Sequence, residues 1–197
     1  MALTVPLPRS PLEDDPAWWY EHELGWATAD GPPLRLVTGL RFDVLELPAA
    51  AGGAVLRRVG AATGPVALLG RRMRLLVAAG SADELPGLLD WLEWGGISLD
   101  LAALGSGGRM TAPIPPGWSG SGAPGAAVWL RAPEPGREVE SSLPALRAVR
   151  GGAAAPCLVR LVAAAAAECH RVRLLSARTR ANGPASQQLT PQRFASS

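Results

Sequence analysis

Glycine and proline together supply 42 of the 197 residues, and they punctuate the chain so often that it is cut into short elements. Proline lacks the amide donor that helices and central strands use, and glycine relaxes the backbone where a turn is needed. Short strands mixed irregularly with helices follow from that punctuation. They point to an α+β fold and not to a regular βαβ alternation. The chain is long enough for one domain with a real core, or one domain plus a tail. Its 48% apolar content includes 35 alanines, with only two Phe and two Ile, so packing falls to Leu, Val and the seven Trp.

Charge narrows the function classes. Nineteen arginines, no lysine and 17 acids leave a net charge of +2, which is not the footprint of a strong, salt-resistant nucleic-acid binder. The lack of lysine beside abundant Ala and Gly reads as GC-rich coding. Met1-Ala2-Leu3-Thr4-Val5-Pro6 has neither the basic nor the apolar region of a secretory signal. The most apolar run, Ala153 to Cys169, is interrupted by Arg160 and is mostly alanine, too weak for a membrane span. Cys157 and Cys169 stand alone without a CxxC, so neither a disulfide framework nor a zinc site is expected, and a reducing cytoplasm is the expected compartment.

Four segments are expected: a flexible arm over 1–15, a domain over 16–150, an Ala-rich C-terminal helix over 151–175 and a disordered tail over 176–197. Pro16 to Glu23 reads as a short helix stopped by Gly25. Strands are expected at Leu34–Val37, Phe42–Leu47, Val66–Leu69 and Met73–Val77, with a turn at Gly70-Arg71-Arg72. Ala49 to Val59 reads as a helix. Ser81-Ala82-Asp83-Glu84 has the form of a capping box opening a third helix to Trp94. Ile97–Leu101 and Arg109–Ala112 are expected to pair as strands, followed by a Pro/Gly/Ser loop at 113–125 and a strand at Ala126–Leu130. A helix is expected around Leu143–Val149, and the final helix spans Pro156 to Leu175.

Few residues suggest chemistry. Asp43 and Glu46 share a strand three residues apart, so they point to opposite faces and cannot hold one metal without a bulge. His22 and His170 are the only histidines, one on a surface helix and one near a helix end. Gly105-Ser106-Gly107-Gly108 lacks the ending of a phosphate loop and reads as a hairpin turn. Gly70-Arg71-Arg72-Met73-Arg74 is more suggestive: Arg72 and Arg74 share one strand face and, with Arg71, could hold phosphate. The Trp pairs 18/19 and 91/94 suit base stacking or simply the core.

Taken in order, these segments resemble short actinobacterial proteins classed with the N-terminal domain of bifunctional DNA primase–polymerases, in the archaeo-eukaryotic primase superfamily. The likeness covers roughly residues 15–150. It is carried by Leu24-Gly25-Trp26, by Phe42-Asp43-Val44-Leu45-Glu46-Leu47-Pro48 and by Gly70 to Val77. Glu93 to Asp100 and Gly107-Gly108-Arg109-Met110-Thr111-Ala112-Pro113 continue it. The resemblance implies a primase–polymerase-like α+β domain, a mixed sheet flanked by helices, with Mg²⁺ or Mn²⁺ held by acids and a histidine on the nucleotide's phosphates.

Carried over residue by residue, Glu46 matches the first acid of the family's D-x-D, but Pro48 stands at the second. Asp100 matches the third acid. The histidine position falls near Met73, and that segment has no histidine. Two-metal catalysis needs a clamp on both attacking and leaving oxygens, so the resemblance implies a degenerate site. What would remain is nucleotide or single-stranded DNA binding in a DNA replication or repair setting, with Arg71, Arg72 and Arg74 near phosphates. If activity survives, Glu46 and Asp100 share the metal. The rival expectation is a non-catalytic protein-interaction or regulatory module with an unidentified protein partner. Its contact surfaces would be the 113–125 loop and the 156–175 helix, and removing 153–197 would leave the core folded.

Overall fold

Phe42–Pro48 (β3) and Arg72–Ala78 (β5) pair antiparallel along their whole length, from Phe42 opposite Ala78 to Pro48 opposite Arg72. Both are rich in Val and Leu, and they form the centre of a five-stranded sheet. The computed structural model describes residues 15–29, 31–60, 63–118, 125–146 and 157–181. Val66–Leu69 (β4) pairs with β5 across the tight turn at Gly70, and Ala127–Arg131 (β8) closes that edge. Ala102–Leu104 (β6) closes the other, giving the order β6-β3-β5-β4-β8. A second, three-stranded sheet has the order β1-β2-β7, from Thr28–Ala29, Arg35–Val37 and Arg109–Thr111.

The two faces of the large sheet are covered differently. Leu45 and Leu47 of β3, with Met73, Leu75 and Val77 of β5, pack under three helices: Ala49–Val59 (α2), Ser81–Trp91 (α3) and Leu158–Ala181 (α4). The alternate residues Phe42, Val44 and Leu76 face Leu36 of β2 and Met110 of β7, together with Tyr20 and Trp26. Tyr20 and Trp26 come from the N-terminal segment, where Pro16–Trp18 (α1) runs into a π-helical turn at Trp19–Glu23. The buried Tyr20 hydroxyl donates to the Pro113 carbonyl at 2.6 Å and accepts from Trp129 Nε1 at 3.0 Å. The result is an α+β layering of helices, large sheet and small sheet.

Several expectations are corrected. Every strand pair in both sheets is antiparallel, so the sheet is not mixed; α2, α3 and α4 cover one face, and the N-terminal helical segment packs Tyr20 on the other. Ile97–Leu101 is not a strand; β6 begins at Ala102 and pairs with β3, while β7 pairs with β2. The Gly105–Gly108 segment is therefore a crossing between two sheets and not a hairpin turn. Glycine serves this crossing through close backbone approach. Gly39, at φ 88°, lies so near Ser106 that a Cβ would strike the Ser106 backbone, and Thr38 Oγ1 donates to the Gly105 carbonyl at 2.6 Å.

The expected capping box at Ser81 and Glu84 gives way to Asp43. Ser81 is the first helical residue of α3 after a left-handed Gly80, and Asp43 Oδ2 accepts from the Ala82 amide at 2.8 Å. Of the helix expected around 143–149, the described residues 143–146 are not helical: a 3₁₀ turn at Val139–Ser142 precedes them, and Leu143 leaves it with extended backbone. Residues 147–149 lie outside the described residues, as do 1–14, 119–124 and 182–197.

The last helix runs past Leu175 to Ala181, into the stretch expected to be a disordered tail. Leu158, Leu161, Val162 and Ala165 are wholly buried in the helix-side core, so α4, which falls within 153–197, is not a removable appendage. Among the described residues no helix is long and apolar enough to cross a membrane.

Candidate functional site

The register of β3 against β5 places Glu46 opposite Arg74 and Pro48 opposite Arg72, on the sheet face turned away from the helices. Glu46 uses both carboxylate oxygens: Oε1 accepts from Arg72 Nε at 3.1 Å and Oε2 from Arg74 Nε at 2.8 Å. Arg72 also reaches out of the sheet, donating from Nη1 to Asp100 Oδ1 at 2.7 Å. Four of the five residues singled out from the sequence thus form one network. The fifth, Arg71, is exposed on the turn before β5 and makes no ion pair with any described residue; its carbonyl accepts from the Ala49 amide.

Burial grades this network. The side chains of Arg74 and Glu46 are 11% and 21% exposed, and that of Asp100 is 62% exposed. Burial opposes the charge on Arg72, but the hydrogen bond and charge of Asp100, joined by those of Glu46, more than offset it, and its pKa rises. Two carboxylates and two guanidinium groups sum to no net charge.

A divalent cation seeks several anionic oxygens together. Here it would have to displace Arg72 from both acids and Arg74 from Glu46. Among the described residues, no three His, Cys, Asp or Glu side chains come together as a metal-holding group. Glu46 and Asp100 therefore do not fit the two-metal centre that the family resemblance implies. The same pairing neutralises Arg72 and Arg74 as phosphate ligands.

An open cleft of about 560 Å³ lies beside Asp100, lined by Pro48, Ser98, Cys169, Arg173 and Ser176 among others. Cys169 sits at its floor, but burial and then the charge of Asp100 push its thiol up to about 12. A thiol held protonated at neutral pH is a poor nucleophile. The histidines are not part of the network: His22 Nδ1 lies 3.0 Å from the Trp18 carbonyl with its ring stacked on Trp18, and His170 packs beside Trp94.

The acid that sequence reasoning passed over is Asp43. It points to the helix face, opposite Glu46 as strand alternation requires, and is 1% exposed with Oδ1 buried and unpartnered. Its Oδ2 caps the positive end of α3, a role no local motif announces because the two residues lie 39 apart. Burial pushes its carboxyl above the usual value of 3.8, partly offset by the Ala82 amide. The folded protein then holds this proton more tightly than the unfolded chain. That contribution to stability is fully present below pH 3.8 and is lost as pH rises through the raised value. Asp43→Asn keeps an oxygen for the Ala82 amide and is expected to remove this part of the pH dependence. Urea midpoints of both proteins between about pH 4 and pH 7 test it; parallel profiles would refute the assignment.

Comparison with known proteins finds no matching family model, no matching curated protein and no matching solved structure. The primase–polymerase resemblance rests on the motifs of the sequence alone.

Proposed function

We propose that this chain is a non-catalytic protein-interaction module, and that the cluster marked by its sequence as a metal site is an ion-pair clamp. One observation carries the reading: Arg72 binds Glu46 and Asp100 at once while Arg74 holds the remaining oxygen of Glu46. Within the primase–polymerase resemblance this is the degenerate case, with strand and acids kept and the acids engaged by arginine. The competing reading, nucleotide or single-stranded DNA binding, keeps Arg71 as the one arginine of the three outside the clamp.

The test is the melting temperature of the full chain with Mn²⁺, with a nucleoside triphosphate, and with both. A ligand at 100 times its dissociation constant adds about 2.7 kcal/mol, or about 5–10 °C for a chain of this size. The expected result is no shift under any condition. A shift that needs both ligands would overturn the proposal in favour of a surviving metal–nucleotide cleft. A shift with triphosphate alone would overturn it in favour of phosphate binding at Arg71.

A further inference from the structure

The modest net charge conceals a partition. No Asp or Glu follows Glu168, whereas Arg171, Arg173, Arg178, Arg180 and Arg193 do. Conversely, no arginine lies between Arg74 and Arg109, a stretch that holds Asp83, Glu84, Asp90, Glu93 and Asp100. Asp83, Glu84 and Asp90 are displayed on α3, and Arg171, Arg173, Arg178 and Arg180 on α4. From Arg171 to Ala181, α4 has passed the end of the core, and every residue except Val172 is exposed.

Residues three, four and seven apart on a helix share one face. On α4 this aligns Arg171, Leu174, Leu175 and Arg178, away from the side where Cys169 packs into the core. Leu174 and Leu175 are about half exposed, at 49% and 53%. On α3 the same geometry aligns Asp83, Gly87, Asp90 and Trp91, away from the buried Leu85 and Leu88. Trp91 is 71% exposed, the most exposed large apolar side chain among the described residues.

The two stripes are complementary in order as well as in sign. Asp83 and Asp90 are seven residues apart, as are Arg171 and Arg178, and both spacings correspond to about 10.5 Å along a helix. Between the acids lies Gly87, which has no side chain; between the arginines lie two exposed leucines. A basic helix laid along α3 would seat leucines over Gly87 against Trp91, with an arginine at each end over an aspartate. Trp91 also offers its face to a guanidinium. Acids around an exposed tryptophan repel phosphate, so this is not a base-stacking surface. Within one chain no ion pair joins Asp83 or Asp90 to Arg171 or Arg178.

We propose that the occupant of the α3 stripe is the Arg171–Arg178 stripe of a second copy, so that the chain self-associates through reciprocal α3–α4 contacts. Arg171 already holds Glu168 through Nε at 3.0 Å but stays 63% exposed, open to a second carboxylate. A two-fold arrangement would use each stripe once per copy and close as a dimer. This goes beyond the proposed function and does not depend on the Glu46 clamp.

The experiment is sedimentation velocity on the full chain. The expected species has twice the 20.4 kDa chain mass and dissociates between about 0.1 M and about 1 M salt, over which the screening length falls from about 10 Å to about 3 Å. Arg171→Glu with Arg178→Glu should be monomeric, and so should Asp83→Arg with Asp90→Arg. All four sites are exposed, and a melting temperature near wild type confirms that each variant is folded. An equimolar mixture of the two variants should restore the dimer, because each reversed stripe meets a reversed partner. A monomeric wild-type chain, a dimer indifferent to both reversals, or a mixture that fails to associate would each overturn the proposal. So would α4 arginines that retain single-stranded DNA on a monomeric chain, which would assign the basic stripe to nucleic acid.

Discussion

A chain ending at residue 156 is expected to lose cooperative unfolding altogether. It lacks α4, whose Leu158, Leu161 and Val162 have no exposed surface and whose Ala164, Ala165 and Cys169 complete the layer over Leu45, Leu47 and Leu75. Burying a leucine or valine side chain contributes about 1.5–3 kcal/mol. The three large residues alone therefore account for about 5–9 kcal/mol, against a net stability of about 5–15 kcal/mol for a typical domain. Removing the helix also uncovers the apolar face of α2. A point version separates packing from chain length. Leu161→Ala should cost about 2–5 kcal/mol in urea denaturation, while Ser176→Ala, on the exposed part of the same helix, should change stability by less than about 0.5 kcal/mol. A sigmoidal thermal transition in the truncated chain would show that the α4 contacts are dispensable.

Much of the frame is legible in local sequence. β3, β4 and β5 are bounded by Pro48, Pro65 and Gly70 and carry alternating or continuous apolar residues, so their existence follows from pattern. The division of labour between the two sheets does not. β1 and β7 have two and three residues, too few for periodicity, and β7 pairs with β2 across more than 70 residues of chain. The end of α4 was hidden for a different reason. Ser176, Thr179 and Arg180 look like tail composition, yet the helix continues through them with arginines near its C-terminus, where positive charge suits the dipole.

The candidate site divides in the same way. That Arg72 and Arg74 share a face, and that Asp43 and Glu46 do not, follows from the two-residue period of a strand and holds in the structure. That Glu46 stands opposite Arg74 is a matter of register. A slip of one residue would have turned the arginines to the helix side and left the acid unpaired. Register is set by long-range packing of Phe42, Val44 and Leu76 on one face and Leu45, Leu47 and Leu75 on the other. Motif reading, which sees acids and basic residues in separate segments, cannot tell a metal site from an ion-pair clamp.

The second large effect concerns that clamp. Glu46→Leu leaves Arg74 largely buried, with Nη1 already lacking a partner and Nε newly deprived of one. Guanidinium cannot shed its proton to relieve this. A cost of about 2–3 kcal/mol is expected, discounted from the value for a fully buried pair because Glu46 keeps 21% exposure. Arg74→Met should cost somewhat less, because Glu46 retains Arg72. Asp100→Ala should cost under about 1 kcal/mol, as the exposed arm of the network. The double variant Glu46→Leu/Arg74→Met removes both charges and fills the space with apolar atoms. It is expected to be more stable than the sum of the single losses predicts by at least about 1 kcal/mol. Additive single effects would mean that the pair is not coupled, and the ion-pair reading would fall. Mn²⁺ added to the double variant Arg72→Ala/Arg74→Ala completes the test. If the two arginines are what keep a cation off Glu46 and Asp100, the metal should raise the melting temperature of that variant and leave the wild-type chain unchanged.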